Sequence, residues 1–321
     1  MEQGRIVVAQ PDPVRRTSEI EEPTNLYVIH PVSAWLTRRF ARLGVSPNAV
    51  SLAGMAAGLL AGVAYHAGFL HGCDPRAVLV GFALMVIWHV MDGADGQLAR
   101  LTGRYSQTGK ILDGVCDYVT FAAVYVGLAL SLAPRHGGWV WALVAVAGFC
   151  HAVQSAAYER QRQDYNFWGW ERGASPLARN VVPSGRRAGD VLFGLYARIE
   201  ALTTALGESG LNGRLAVMLA AHPDRAPDIR QRYRAAFAPQ VRRWSVLSAN
   251  YRTLGLFLCA LPGRPLAYFA FEIVGFSVIL LGLLRRQRRC DARFLAALEG
   301  VAAEAPPARP APARALSVNV R

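Results

Sequence analysis

The sequence has few charged residues, and they are unevenly placed. Charged side chains make up 18% of the 321 residues, against 53% hydrophobic ones, which is too apolar for an ordinary soluble domain. Lysine is almost absent: Lys110 is the only one, and the rest of the basic excess behind the formal net charge of +13 is arginine. The five cysteines show neither metal-ligand spacing nor a disulfide framework. The composition therefore argues against a disulfide-stapled secreted domain and a cysteine-bound metal site.

Long apolar runs, separated by short basic clusters, fill the middle of the chain. Six of them come near the roughly 20 residues that cross a bilayer core. They lie at approximately 49–70, 77–101, 109–132, 138–158, 244–262 and 265–284. Arginine is concentrated in the connections on one side, which predicts that both termini are cytoplasmic. A basic chain can also bind nucleic acid, but basic and aromatic residues do not interleave outside the apolar runs. We therefore expect membrane lipids as the anionic partner and no nucleic acid.

The fold class predicted from these runs is an all-α integral membrane protein with six transmembrane helices. Before the first run, Val32, Trp35 and Leu36 share a helix face opposite arginines, which is typical of a helix lying in the membrane interface. Helical periodicity between Val191 and Leu202 predicts amphipathic helices in the long connection before the fifth run. The expected organisation is a disordered arm at 1–25, an interfacial amphipathic helix at 26–44, a six-helix membrane domain at 45–290 with a cytoplasmic helical insertion at about 159–243, and a largely disordered tail at 291–321.

Four aspartates stand where the second and third apolar runs meet the cytoplasm: Asp92, Asp95, Asp113 and Asp117. Spacings of three and four put each pair on one helix face, and consecutive antiparallel helices bring the two pairs to the same membrane depth. Carboxylates in apolar surroundings repel one another unless a cation holds them. Oxygen-only ligands favour a hard divalent ion, Mg²⁺, Mn²⁺ or Ca²⁺, and four carboxylates could hold two. Two such ions form a clamp suited to phosphoryl transfer.

The residues around these aspartates complete a motif. The segment Asp92-Gly-Ala-Asp-Gly-Gln-Leu-Ala-Arg100 is followed by Gly109-Lys-Ile-Leu-Asp-Gly-Val-Cys-Asp117. This pattern, D-x2-D-G-x2-A-R-x8-G-x3-D-x3-D, resembles the signature of the CDP-alcohol phosphotransferases at every fixed position and gap. The resemblance implies a homodimeric phospholipid-synthesis enzyme of the membrane, in which an alcohol attacks a CDP-linked donor and CMP leaves. Because the site opens within the bilayer, we expect CDP-diacylglycerol as the donor.

The resemblance also implies a role for each motif residue. The ligands of two divalent cations, Mg²⁺ or Mn²⁺ with Ca²⁺ possible, are Asp92, Asp95, Asp113 and Asp117. Asp117 either binds metal or acts as general base on the acceptor hydroxyl. The residues implied at the nucleotide site are Asp95, Gly96, Ala99, Arg100 and Gly109. The glycines of the segment, Gly93 and Gly103 among them, leave room for a nucleotide near the backbone, or simply let membrane helices pack closely.

The motif leaves the acceptor alcohol open. Arg160 and Arg162 follow the fourth apolar run, where the resemblance places the acceptor pocket. Arg252 lies inside the fifth run, where a charge is costly unless it is paired or functional. It can pair with Glu272 at the same depth, or it can face the cavity with Arg160 or Arg162. In the second case the acceptor carries a phosphate, and the resemblance favours inositol phosphate or glycerol phosphate over a neutral amino alcohol.

Other interpretations share some of these features. A CDP-choline or CDP-ethanolamine transferase acting on a lipid alcohol would carry the same motif. An intramembrane prenyltransferase also uses aspartates and Mg²⁺, but it carries two separated aspartate-rich motifs where this chain has one. A divalent-cation transporter commonly shows an internal repeat or broken helices, and no repeat is visible here. His89, one turn before Asp92, is more typical of a packed, hydrogen-bonded residue than of a ligand.

Overall fold

The computed structural model describes residues 17–104, 107–177 and 210–303. This part of the chain is helical and contains no strand. Ten α-helices are numbered here in chain order: α1 His30–Arg42, α2 Pro47–Leu70, α3 Pro75–Thr102, α4 Gln107–His136, α5 Trp139–Trp170, α6 Leu211–Ala221, α7 Ala226–Trp244, α8 Ala249–Ala260, α9 Pro265–Ala270 and α10 Phe276–Ala303. Short 3-10 turns at Ser18–Ile20, Pro223–Arg225 and Ser245–Leu247 and π-helical turns at Asn25–Ile29 and Phe271–Gly275 join or precede them.

In the part of the chain that the structure describes, five helical segments are long and apolar enough to cross a membrane. They are α2, α3, Leu112–His136 of α4, α5, and the continuous run Pro265–Leu298 formed by α9, its π-helical turn and α10. They coincide with five of the six predicted apolar runs. The remaining run, 244–262, forms only the 12-residue helix α8. At 1.5 Å per residue α8 is about 18 Å long. It is short because Ser248, in an extended conformation, interrupts the helix just before it.

Local signals fix where the two long helices around the aspartates begin and end. Ser46 caps α2, accepting a hydrogen bond of 3.2 Å from the Ala49 N–H, and Pro47 occupies the first turn. Asp74 caps α3 through the Arg76 N–H at 2.9 Å. α3 ends at Gly103, whose φ of +65° is the left-handed conformation that favours glycine. These caps set the register of α2 and α3, and therefore the depth of Asp92 and Asp95.

Both aspartate-bearing helices, α3 and α4, pack against helix α2. The contact with α4 is backbone to backbone. A Cβ on Gly127 would lie 2.3 Å from the Gly62 carbonyl oxygen, and one on Gly62 would lie 2.5 Å from the Ala123 carbonyl oxygen. Only glycine allows this approach. Tyr65, Met85 and other buried apolar side chains of the bundle form the largest core cluster of the described residues.

Helix α1 lies against α3 through small polar residues. The Ser33 hydroxyl donates to the Val90 carbonyl at 2.8 Å, and the Thr37 hydroxyl lies 3.2 Å from the Ala94 carbonyl. Apolar Val32 and Trp35 are exposed, at 46% and 49%. An interfacial helix offers such a face to lipid. The hydroxyls of Ser33 and Thr37, together with apolar Leu36 and Phe40 packed against the cluster of Val50, Ala94 and Leu98, therefore fix α1 to the protein.

The prediction that residues 1–25 form a disordered arm is wrong for residues 17–25. Ile20 and Glu22 are completely buried, and the Ser248 hydroxyl donates to a Glu22 carboxylate oxygen at 2.6 Å. The Arg242 guanidinium donates to the Glu19 carbonyl at 2.7 Å. All these partners lie more than 200 positions away along the chain, so no local pattern reveals them. Residues 1–16 lie outside the described residues.

A helical layer lies beyond the membrane bundle. It consists of the end of α5, helices α6 and α7, and the end of α10, and its apolar centre includes Tyr165, Phe237 and Phe294. Residues 159–170 of the predicted insertion thus continue α5. The tail prediction is wrong for 291–303, which continue α10 because Phe294 and its neighbours are buried in this layer. The periodic segment between Val191 and Leu202 and the last residues, 304–321, lie outside the described residues.

Candidate active site

Three of the four predicted ligands meet between α3 and α4. Asp92, Asp95 and Asp113 each offer a carboxylate oxygen, and these three atoms all lie within 4.8 Å of one another. Asp95 is buried at 5% exposure, whereas Asp92 and Asp113 are half-buried and open on one side. Asp117 is half-buried one turn further along α4 and lies outside this group of three. Consecutive antiparallel helices therefore place the carboxylates at one depth, as their spacing predicts.

The donor set fits hard divalent cations. The three carboxylates present only oxygen atoms, which Mg²⁺, Mn²⁺ and Ca²⁺ prefer over softer metals. Their mutual approach within 4.8 Å is costly for like charges in apolar surroundings unless a cation compensates them. Cys116, buried on the next turn of α4, is not a member of this oxygen group.

A serine that the sequence analysis missed holds Asp95. The Ser51 hydroxyl of α2 donates to Asp95 Oδ2 at 2.5 Å, and Ser51 is itself buried. The pair is 44 residues apart, so no motif spacing reveals it. One signal was available: Ser51 stands one turn into α2, at the same end of the bundle as the aspartates.

The backbone of the Asp92–Asp95 turn is held from another side by α1. The Ser33 and Thr37 hydroxyls approach the carbonyls of Val90, which precedes the turn, and of Ala94, which lies within it. A Cβ on Gly93 would lie 2.6 Å from Ser33 Oγ. Close packing against α1 therefore explains Gly93, so nucleotide access is not needed to account for this residue.

The other motif residues lie along the C-terminal end of α3 and the start of α4. A Cβ on Gly96 would lie 3.5 Å from Arg100 Nη1, so the guanidinium folds back along α3 over this glycine. Ala99 and Gly109 are half-buried. Gly103 is accounted for by its place at the C-terminus of α3. Lys110 lies in α4, but its side chain is outside the described residues.

His89 is a packed residue rather than a member of the carboxylate group. It is 6% exposed, and its Nε2 lies 2.9 Å from the Thr253 hydroxyl of α8. The ring also contacts Trp88, with ring centroids 4.4 Å apart. His89 thus joins α8 to α3 one turn away from Asp92.

The three arginines proposed for the acceptor have acidic partners. Arg252 is completely buried and forms an ion pair with Glu272, so of its two alternatives the structure has the pair and not the open cavity. Arg160 and Arg162 lie in the C-terminal part of α5. Arg160 is 3.8 Å from an Asp164 oxygen, and Arg162 is 2.9 Å from a Glu159 oxygen. Their side chains are 13% and 15% exposed.

Comparison with known proteins points to the same part of the chain. Residues 44–179 match the family model described as CDP-alcohol phosphatidyltransferase. The chain is 36% identical to a phosphatidylinositol phosphate synthase of Streptomyces avermitilis over 137 residues, 42% of this chain and 50% of the relative. It is 30% identical over 94 residues to an archaetidylinositol phosphate synthase of Pyrococcus horikoshii, 29% of this chain and 46% of the relative. A CDP-diacylglycerol–serine O-phosphatidyltransferase of Mycobacterium leprae is 30% identical over 110 residues, 34% of either chain. The chain thus spans half or less of the length of these relatives.

Proposed function

Because residues 44–179 carry a CDP-alcohol phosphatidyltransferase domain, we propose that the protein transfers a phosphatidyl group from CDP-diacylglycerol to an alcohol, with release of CMP. The observation that carries this proposal is the group of Asp92, Asp95 and Asp113 oxygens within 4.8 Å of one another, inside the matched segment. An oxygen-only site at the end of membrane helices is suited to a lipid-linked diphosphate.

The aspartates hold the metal in this proposal, and Asp117 holds the proton. Asp92, Asp95 and Asp113 would hold two divalent cations, which would supply positive charge for the phosphate oxygens and the leaving CMP. Asp117 stands one turn beyond Asp113 and accepts the proton of the acceptor hydroxyl. That oxygen forms a bond to the phosphorus that carries the lipid. The bond between that phosphorus and the oxygen that bridges to the cytidylyl phosphate breaks, and this oxygen leaves as part of CMP with the electron pair of the broken bond.

The nucleotide is proposed to lie along the inner end of α3. Arg100 supplies the guanidinium for the diphosphate, since it lies over Gly96 on the helix that carries Asp92 and Asp95. Ala99 and Gly109 add little bulk beside it. A Cβ on Gly114, which follows Asp113, would meet no atom within 4 Å, so this glycine leaves further space for the nucleotide.

The proposed acceptor is an alcohol that carries a phosphate, with inositol phosphate or glycerol phosphate favoured. Two relatives are named as synthases of inositol phosphate lipids, which supports the first. Arg160 and Arg162 are the proposed contacts, with Arg162 also lying 5.7 Å from the Tyr158 ring. Arg252 no longer supports this choice, because its charge is matched by Glu272. A third relative is named as a serine O-phosphatidyltransferase, so serine is the acceptor against which the phosphate-bearing alcohols should be compared.

The proposed topology has six crossings, with the short α8 as the fifth. Cys73, in the turn between α2 and α3, lies 3.8 Å from the Ala260 carbonyl at the end of α8. The start of α8 instead contacts Glu22 through Ser248. The end of α10 packs with the end of α5 around Phe294, which supports a crossing by α8. Both termini and the active site then lie on the arginine-rich, cytoplasmic side. Assembly as a homodimer is proposed from the resemblance alone.

CMP release from purified protein tests the function. The protein with Mn²⁺ or Mg²⁺ is incubated with CDP-diacylglycerol and inositol phosphate, glycerol phosphate, inositol or serine, and separately with diacylglycerol and CDP-choline or CDP-ethanolamine. We expect CMP with CDP-diacylglycerol and a phosphate-bearing alcohol. Turnover only with CDP-choline or CDP-ethanolamine would move the assignment to the lipid-alcohol transferases. Mn²⁺ uptake into vesicles without CMP from any pair would favour a transporter.

A further inference from the structure

The hydrogen bond between Ser51 and Asp95 is distinct from ordinary serine behaviour in a helix. A helical serine commonly donates to the carbonyl four residues earlier, here Pro47, whose oxygen lies 3.2 Å from Ser51 Oγ. Asp95 Oδ2 is much nearer, at 2.5 Å. A hydroxyl has one proton, and a carboxylate is the stronger acceptor. The proton therefore goes to Asp95.

Ser51 is held rigidly enough to direct that carboxylate. The cap at Ser46 and Pro47 starts α2 one turn earlier. One turn later, a Cβ on Gly54 would lie 3.1 Å from Met91 Cβ, so α2 and α3 touch directly beside the aspartate turn. A hydroxyl on such a fixed frame constrains the carboxylate better than a mobile surface group would.

We propose that Ser51 is a positioning residue of the metal site: it binds Oδ2 of Asp95 and leaves Oδ1 directed at the cation. This inference rests on the proposed metal-dependent function. It goes beyond the four aspartates of the motif, because Ser51 stands on a different helix and outside the motif. Partners of this kind orient metal ligands, and their loss typically weakens metal binding by about 10- to 100-fold.

The role of Ser51 differs from that of the hydroxyls on α1. Ser33 and Thr37 contact backbone carbonyls of α3 and so hold the helix in place. Ser51 contacts the ligand side chain itself. Removing Ser51 should therefore change metal affinity more than stability, whereas removing Ser33 should do the reverse.

Direct Mn²⁺ binding without substrates tests the proposal. Free Mn²⁺ is measured by electron paramagnetic resonance during titration of the detergent-purified protein, and thermal unfolding is followed in parallel. Ser51→Ala is expected to weaken Mn²⁺ binding by about 10- to 100-fold. Ser51→Thr keeps the hydroxyl and should bind within about threefold of wild type. If Ser51→Ala does not fold, Ser51→Cys tests the proposal in its place, because a thiol is similar in size to a hydroxyl and is a weak hydrogen-bond donor. We expect Ser51→Cys to bind Mn²⁺ more weakly than Ser51→Thr and more tightly than is expected for Ser51→Ala.

Ser131→Ala is the matched control. The Ser131 hydroxyl is also buried and lies 2.9 Å from the Gly127 carbonyl and 3.0 Å from the His66 carbonyl, but it stands 18 positions along α4 from Asp113. Its loss should leave Mn²⁺ binding unchanged. Wild-type affinity for Mn²⁺ in folded Ser51→Ala, or in Ser51→Cys, would overturn the proposal. A Ser51→Thr variant that binds Mn²⁺ as weakly as Ser51→Ala would also overturn it. In either case, CMP release by the wild-type protein would still support the proposed enzyme function. A wild-type protein that binds no Mn²⁺ and releases no CMP would instead contradict the proposed function.

Discussion

Arg252 and Glu272 form an ion pair in the interior of the membrane bundle, with both side chains completely buried. Further hydrogen bonds satisfy the two groups: Arg252 Nη2 donates to Gln154 Oε1 at 2.8 Å, and Tyr268 donates to Glu272 Oε2 at 2.8 Å. The guanidinium also lies 4.7 Å from the Phe276 ring. The pair thus joins α8 to the π-helical turn before α10, and Gln154 ties both to α5. A helix as short as α8 depends on such polar ties.

Replacing Arg252 alone should strongly destabilise the protein. Arg252→Met leaves the Glu272 carboxylate buried without its cation, which typically costs about 3–5 kcal/mol. Thermal unfolding in detergent should show a large fall in the midpoint. The double variant Arg252→Met/Glu272→Leu removes both charges and should be more stable than Arg252→Met. A double variant that is less stable than the single one would contradict a mutually compensating pair.

Gly127→Ala should force α2 and α4 apart. The added methyl group would meet the Gly62 carbonyl oxygen at 2.3 Å, and neither backbone can yield without moving a helix. Overpacking of this kind costs about 1–3 kcal/mol. It should also lower CMP release, because α2 carries Ser51 and α4 carries Asp113. The unfolding midpoint and turnover check both effects.

Gly148→Ala is the control for this substitution. A Cβ at Gly148, also inside a membrane helix, would meet no atom within 4 Å. Alanine is a better helix former than glycine, so the unfolding midpoint should stay the same or rise slightly. Equal losses at the two positions would show that the Gly62–Gly127 approach has no special role.

Glu22 should make stability depend on pH. Burial raises the pKa of its carboxyl above the ordinary value of 4.5, despite hydrogen bonds from Ser248 and Asn250. A raised folded pKa means that the folded state keeps the proton in a pH range where the unfolded state has lost it. The contribution of protonated Glu22 is therefore complete below about pH 4.5 and is lost as the pH rises through the folded pKa.

Glu22→Gln should remove that part of the pH dependence. Thermal unfolding midpoints measured from pH 4 upward should fall less steeply in the variant than in wild type. Glu171→Gln is the comparison, since the Glu171 side chain is 69% exposed and binds only at the surface to Arg230. Identical slopes for wild type and Glu22→Gln would show that Glu22 does not titrate with folding.

Asp113 and Asp117 should separate metal binding from chemistry. Asp113→Asn removes a charge from the group of three oxygens and should weaken Mn²⁺ binding by at least tenfold. Asp117→Asn should abolish turnover and leave nucleotide binding largely intact, because Asp117 lies outside that group. Binding of a labelled CDP-lipid and CMP release are measured for both variants. Normal turnover in Asp117→Asn would remove it from the mechanism.

Residue spacing along the chain was enough to predict those contacts that depend only on the regular geometry of helices. Carboxylates three and four residues apart share a helix face, so the meeting of Asp92, Asp95 and Asp113 followed from their positions. The Arg252–Glu272 pair was one of two alternatives, and it followed from equal depth on either side of a tight turn. Both predictions needed only the regular rise of helices.

Contacts between distant segments could not be predicted in this way. Ser51 reaches Asp95 across 44 residues, and Glu22 reaches Ser248 across 226. The continuation of α10 through 291–303 buries Phe294 and Leu298 against other helices, and these partners lie on distant segments of the chain. Tertiary packing determines such contacts, and the sequence of one segment does not reveal which other segment it will pack against.

The fate of the lipid-bearing phosphorus tests the central claim most directly. CDP-diacylglycerol labelled only at that phosphorus is incubated with wild-type protein, Mn²⁺ and inositol phosphate, with Asp113→Asn as the inactive comparison. The account predicts that the label moves into a new phospholipid while unlabelled CMP appears in equal amount, and that the variant produces neither. Label in a released nucleotide, or equal product from Asp113→Asn, would contradict it.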